Sequence, residues 1–145
     1  MASNQLVWEC LKVNNSFMRK SRRKCQTKMI MSAEPGNLLG LHSYKFSGLA
    51  SSKVFDISAK KSGSKESIVM TTSHKKGSRA ARPGLRVLTT GVKKSTKKGV
   101  AQVAKAMEGN FYRQDLLELA KVKYQKVKTS FKKKKGVFKS RRATK

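Results

Sequence analysis

Residues 32–49 read SAEPGNLLGLHSYKFSGL, the longest apolar-rich run in the chain, interrupted by a single acid, Glu34, and a single base, Lys45. So few apolar residues lie elsewhere that a core has to form around this run. Glu34-Pro35-Gly36-Asn37 predicts a chain reversal, because Pro presets φ at the second turn position and Gly or Asn accepts the positive φ that follows. Beyond it Tyr44, Phe46 and Leu49 recur near every second residue with Ser43, Lys45 and Ser47 between them, the period of a strand with one buried face. Residues 41–46 are therefore expected to form a core strand, with Tyr44 and Phe46 facing inward.

The rest of the composition limits what that core can be. A chain of 145 residues suits one domain, yet 37% hydrophobic and 29% charged leaves little to bury. Thirty-five lysines and arginines face seven aspartates and glutamates, a formal net charge of +28. Self-repulsion of that size opposes compaction unless a polyanion supplies the missing charge, and a sequence pI near 10.7 points to nucleic acid. The opening residues lack the basic and apolar regions of a secretory signal, and no run approaches membrane-spanning length, so an intracellular protein is expected.

Chemistry-bearing patterns are sparse. Cys10 and Cys25 form no CxxC pair, and with His42 and His74 they give no zinc spacing, so no metal or other cofactor is expected and the thiols read as free and partly buried. The sequon at Asn14 is discounted for an intracellular chain. Gly36, Gly40 and Gly48 lack the spacing of a phosphate loop, so no nucleotide or other small-molecule substrate is expected. The seven acids are scattered without paired-carboxylate spacing, which points away from catalysis; His42 reads as a core-edge or RNA-facing side chain.

Taken in order, the pattern predicts an α+β chain. Residues 4–12 read as a short helix behind Ser3 or Asn4 as N-cap. Residues 17–20 and 25–32 read as an antiparallel hairpin around a basic turn at 19–24. Val54, Phe55 and Ile57 begin a strand that pairs with residues 67–72 across a loop at 60–65, which makes about five strands in one small antiparallel sheet. Residues 73–98 carry His74 and nine lysines and arginines but few apolar groups, and read as a basic extended arm, with Leu85, Val87 and Leu88 available to dock on the sheet. Val100, Val103, Ala104 and Met107 have helical spacing, closed by Gly109-Asn110 as the left-handed stop. Residues 112–130 form a second helix with Leu116, Leu119, Ala120, Tyr124 and Val127 on one stripe. The expected organisation is a body at 1–72, an arm at 73–98, helices at 99–130 and a basic tail at 131–145.

Candidate phosphate contacts are Arg19, Lys20, Arg22, Arg23 and Lys24 in the basic turn and Lys75, Lys76, Arg79, Arg82, Arg86, Lys93, Lys94, Lys97 and Lys98 in the arm. The tail adds Lys132, Lys133, Lys134, Lys135, Lys139, Arg141 and Arg142. Aromatic rings set among cations can stack on unpaired bases, which singles out Phe131 and Phe138, while Tyr44, Phe46 and Phe111 are assigned to the core. No base-reading motif is present, so phosphate contact is expected to dominate.

LVWECLKVNNSFMRK at residues 6–20, SAEPGNLLGLHSYKFSGL at 32–49 and FYRQDLLELAKVKYQKV at 111–127 together resemble the eukaryote-specific large-subunit ribosomal protein family twenty-eight, and their order covers nearly the whole chain. That resemblance implies a small α+β body with C-terminal helices and a basic tail. It implies a non-catalytic protein of the large subunit of the cytosolic ribosome, with nucleolar assembly. Its partners would be large-subunit ribosomal RNA and neighbouring ribosomal proteins, with no membrane. The family's N-terminal domain is also similar to that of a nucleolar large-subunit biogenesis factor, so an assembly role is the alternative; a chromatin-binding or membrane-active basic protein fits the strand-rich half less well.

Overall fold

The computed structural model describes residues 2–20, 30–80, 82–109 and 111–131. Helix α1 (Asn4–Lys12) leads into strands β1 (Met18–Arg19), β2 (Met31–Ser32), β3 (Phe55–Ser62) and β4 (Lys65–Ser73). Two single helical turns, α2 (Gly77–Ala80) and α3 (Pro83–Arg86), precede β5 (Val87–Val92), and then come α4 (Thr96–Glu108), a 3-10 turn (Gln114–Leu116) and α5 (Leu117–Ser130). The five strands divide into an antiparallel pair, β1-β2, and a three-stranded antiparallel sheet ordered β3-β4-β5. The α+β architecture expected from the sequence is present, with two small sheets in place of one.

The core lies between the three-stranded sheet and the two C-terminal helices. Phe55 and Ile57 on β3, Ile68 and Met70 on β4 and Val92 on β5 are buried, and their spacing of two or the register between strands puts them on one face. Val103 and Met107 of α4 and Leu116, Ala120 and Tyr124 at α5 cover that face, the stripes expected from helical periodicity. Each fully buried Ile, Leu, Val or Met contributes about 1.5 to 3 kcal/mol against solvent exposure. Tyr124 adds a polar tie, its hydroxyl donating to the carbonyl of Lys93 at 2.6 Å and lying 3.2 Å from that of Ser95.

The apolar run at 32–49 supplies a different part of the core from the one its pattern suggests. The Pro35-Gly36 reversal forms, with Asn37 N–H on the Glu34 carbonyl at 3.3 Å and Gly36 at φ 83°. Leu38 is buried, but residues 41–46 are not a core strand: Leu41 makes one bridge to Met31, and the chain then winds through helical turns in which Ser47 N–H reaches the Ser43 carbonyl. Tyr44 is exposed and Phe46 only half-buried against the core. The physical cause is Glu34. Its carboxylate is fully buried and accepts from Ser47 Oγ at 2.8 Å and Gly48 N–H at 3.1 Å, pulling the segment into a curl. Gly48 permits the close approach, since a Cβ there would lie 2.0 Å from the Pro35 carbonyl.

The segment expected to be an extended arm also differs. Residues 87–92 within it form β5, paired with β4 from Ile68↔Val92 to Ser73↔Val87. Helix α1 forms where expected, Ser3 capping Leu6 N–H at 3.3 Å, but buries no residue of its own. Trp8 lies against His42 and Tyr44, with ring centroids 5.0 and 6.0 Å apart, and His42 Nε2 is 3.1 Å from the Lys12 carbonyl. His42 is thus the buried seat of α1, with its side chain 5% exposed.

Candidate nucleic-acid interface

Carboxylates neutralise one set of cations and leave another free. Lys12, Lys61 and Lys121 pair with Glu9, Glu66 and Glu118, Lys123 pairs with Asp56, and Arg113 and Lys45 share Asp115. Among the described residues, Arg19, Lys20, Lys75, Lys76, Arg79, Arg82, Lys93, Lys94, Lys97 and Lys98 are exposed and have no carboxylate partner. Lys53, Lys60, Lys65, Lys105 and Lys126 are likewise exposed without a carboxylate partner, so the candidates belong to a larger set of cations with the spare donors that a phosphate backbone requires.

Eight of the ten exposed candidates lie on or beside the two connections at the opposite ends of β5, while Arg19 and Lys20 lie at the end of β1. Between β4 and β5, Lys75 and Lys76 precede α2, Arg79 lies in it and Arg82 is the N-cap of α3, all following His74. The His74 ring faces Lys76 N–H at 3.1 Å and Arg79 Nη1 at 2.8 Å, and a neutral imidazole can accept from only one of them. Between β5 and α4, Lys93 and Lys94 lead into Lys97 and Lys98 in the first turn of α4, whose Ser95 N-cap makes no side-chain hydrogen bond to the helix. An open concavity of about 590 Å³ lies here, lined by Lys93, Lys98, Ala101, Gln102 and Lys105. Gln102 braces it by accepting from Lys93 N–H at 3.2 Å and donating to the Gly91 carbonyl at 3.0 Å. An anion placed there would meet lysine ammonium groups near the positive end of the helix.

Two candidates have structural partners. Arg86 is half-buried and donates from Nη2 to the Ser51 carbonyl at 2.8 Å; burial lowers its pKa, and the guanidinium remains charged. Phe131 is partly buried against the core, with Lys94 Nζ 5.9 Å from its ring centroid. Arg22, Arg23, Lys24, Lys132, Lys133, Lys134, Lys135, Phe138, Lys139, Arg141 and Arg142 lie outside the described residues, as does Cys25, while Cys10 is an exposed free thiol.

Sequence reasoning missed two features. The loop expected at 60–65 is the end of the β3-β4 ribbon, closed by Gly63-Ser64 with Gly63 at φ 58°, so Lys60, Lys61 and Lys65 project on paired strands beyond the end of β5. The Gly/Ser turn itself reads from the sequence as a hairpin loop, and what its composition does not show is that the strands run on through Lys60, Lys61 and Lys65 to Ser62↔Lys65. Phe111, assigned to the core, is 79% exposed. It stands out because Gly109, the expected left-handed stop, takes φ −61°, and the positive φ falls instead on Phe111 (47°) and Arg113 (50°). Among the described residues no helix is long and apolar enough to cross a membrane, and no three His, Cys, Asp or Glu side chains group as metal ligands.

A model of the Ribosomal L28e protein family matches residues 6–130 of this chain. The chain is 33% identical over 103 residues to the large ribosomal subunit protein eL28 of Caenorhabditis elegans, a match covering 71% of this chain and 73% of that one. It is 42% identical over 57 residues to the large ribosomal subunit protein eL28 of Dictyostelium discoideum, covering 39% of each.

Proposed function

Because this chain belongs to the ribosomal L28e protein family, we propose that it is a structural, non-catalytic constituent of the large subunit of the eukaryotic cytosolic ribosome. It binds large-subunit ribosomal RNA, lies beside neighbouring ribosomal proteins and so supports translation, after joining the particle in the nucleolus. The observation that carries the RNA-binding reading is unpaired charge: the acids pair with a few cations, while Lys75, Lys76, Arg79, Arg82, Lys93, Lys94, Lys97 and Lys98 stay exposed without a carboxylate partner at the two ends of β5. Arg19, Lys20 and the basic residues outside the described segments, from Arg22 to Lys24 and from Lys132 to Arg142, extend the same contact. Six of the eight cations at the ends of β5 are lysines, which offer point charges without bidentate geometry, and Arg79 and Arg82 can each hold a phosphate with two donors, so phosphate contact dominates the reading.

The test is affinity for a large-subunit ribosomal RNA fragment across a range of salt. Each neutralised phosphate gives a slope of about −0.7 to −0.9 in log affinity against log salt, so several contacts predict a steep fall. A flat response overturns the reading. Co-sedimentation with large subunits after a high-salt wash separates a resident ribosomal protein from a general nucleic-acid binder.

A further inference from the structure

The turn between α4 and α5 is built to hold one aromatic ring in solvent. Phe111 and Arg113 both have positive φ, a conformation uncommon for any residue but glycine and least suited to bulky side chains. Glycine is available two residues earlier at Gly109, and it takes an ordinary helical φ instead. The two residues that follow Phe111 anchor the turn to the body. Tyr112 Oη accepts from Ser73 N–H at 3.1 Å, meets Ser73 Oγ at 2.7 Å and donates to the Val54 carbonyl at 2.6 Å, while Tyr112 N–H reaches the Met107 carbonyl at 2.8 Å. Arg113 uses its whole guanidinium: Nε and Nη2 hold Asp115 at 3.1 and 3.3 Å, Nη2 reaches the Lys45 carbonyl at 2.8 Å, and Nη1 holds Ser51 Oγ and the Lys53 carbonyl at 3.2 and 3.0 Å. Among these clamps Phe111 contributes a backbone N–H to the Glu108 carbonyl, and its ring stays 79% exposed.

We propose that Phe111 is a stacking platform for an unpaired base of the bound RNA. The proposal rests on the RNA-binding reading above and names a contact within it. A flat ring in solvent accepts either an RNA base or an apolar protein surface, and the charge favours the base. Exposed Lys45 and Lys53 flank the turn, the latter with Nζ 5.9 Å from the Tyr112 ring centroid. Of the two acids at the turn, Asp115 is neutralised by Arg113 and Lys45, which leaves Glu108 facing a chain of net charge +28. Stacking on a protein aromatic tolerates any base, so it adds affinity to phosphate contact without a sequence motif.

The experiment uses the full chain and single-stranded RNA oligonucleotides that carry, at successive positions, a fluorescent adenine analogue whose emission falls when it stacks. Wild type is expected to bind with a steep salt slope and to quench at one or more positions. Phe111→Ala is expected to lose that quenching and about 5- to 150-fold in affinity, with the salt slope unchanged, because the phosphate contacts remain. Phe111→Trp should retain both. Phe111→Gly should lose quenching while matching or exceeding the wild-type thermal midpoint, because glycine relieves the left-handed strain, so loss of binding cannot be ascribed to loss of fold. If Phe111→Ala matches wild type in affinity and quenching, the stacking proposal is overturned and the ring faces a protein neighbour. If wild type itself binds without salt dependence, the underlying RNA reading has failed instead.

Discussion

Gly99 lies inside α4, where alanine would ordinarily be favoured by roughly 1 kcal/mol. A Cβ there would sit 2.1 Å from Tyr124 Oη and 2.4 Å from the Lys93 carbonyl, so the hydroxyl that closes α5 onto β5 occupies the missing side chain's space. Gly99→Ala is therefore expected to destabilise by about 1 to 3 kcal/mol through overpacking. Gly91→Ala meets nothing within 4 Å and should stabilise by about 0.4 to 1 kcal/mol through the unfolded chain, so urea unfolding of the two variants should give opposite signs. Burial also raises the Tyr124 pKa. The folded state then holds this proton more tightly than the unfolded chain, so the contribution is complete below about pH 10 and lost as pH rises through the raised value. Tyr124→Phe should show a shallower alkaline decline in thermal midpoint than wild type, and an equal decline would refute the assignment. Between the two aromatics of the apolar half, Phe55→Ala should cost about 3 to 5 kcal/mol, since Phe55 is 1% exposed, and Phe46→Ala clearly less because Phe46 is only half-buried.

At the scale of elements, patterns that close on themselves were readable in advance. Val103 and Met107, or Leu116, Ala120 and Tyr124, mark a buried stripe within a few turns of one helix, and the Pro35-Gly36 reversal needs only four residues. What could not be read depends on a distant partner. Residues 41–46 alternate convincingly, but the buried Glu34 carboxylate recruits Ser47 Oγ and Gly48 N–H and turns the pattern into a curl. Residues 87–92 sit among lysines and look like an arm until β4, about twenty positions earlier, offers an edge to pair with. The candidate interface was legible as charge and only partly as geometry: no local pattern distinguishes Arg86, tied to Ser51, from Arg82, which is free. Limited trypsin digestion should separate Arg86 from the exposed cations that precede it. Cleavage is expected first after Lys75, Lys76 and Arg79 in the connection between β4 and β5, since Pro83 blocks the bond after Arg82, and late after Arg86, whose side chain is engaged and whose carbonyl accepts from His74 N–H at 2.8 Å. Early cleavage after Arg86, read by mass spectrometry of the fragments, would mean that β5 detaches in the free protein.

For the whole molecule, the question is whether RNA responds to the total charge of +28 or to where that charge is unpaired. Long-range attraction depends on the total, whereas counterion release depends on which cations reach phosphates, and the two can be separated by variants of equal net charge. Lys93, Lys97 and Lys98 are exposed, have no carboxylate partner and gather where β5 runs into α4, two of them lining the concavity. Lys12, Lys61 and Lys121 are cations of the same kind already paired with Glu9, Glu66 and Glu118. Converting either trio to Gln removes three positive charges and touches no core side chain. The first trio should reduce the slope of log affinity against log salt by about 2 to 3 units if each lysine holds one phosphate, and should leave folding intact or slightly improved by weaker self-repulsion. The second should change the slope far less and lower stability marginally, since exposed ion pairs contribute about 0 to 1 kcal/mol each. Equal loss of slope from both trios would mean that the surface acts as an undivided cationic field, and the interface assigned to the start of α4 would have to be withdrawn.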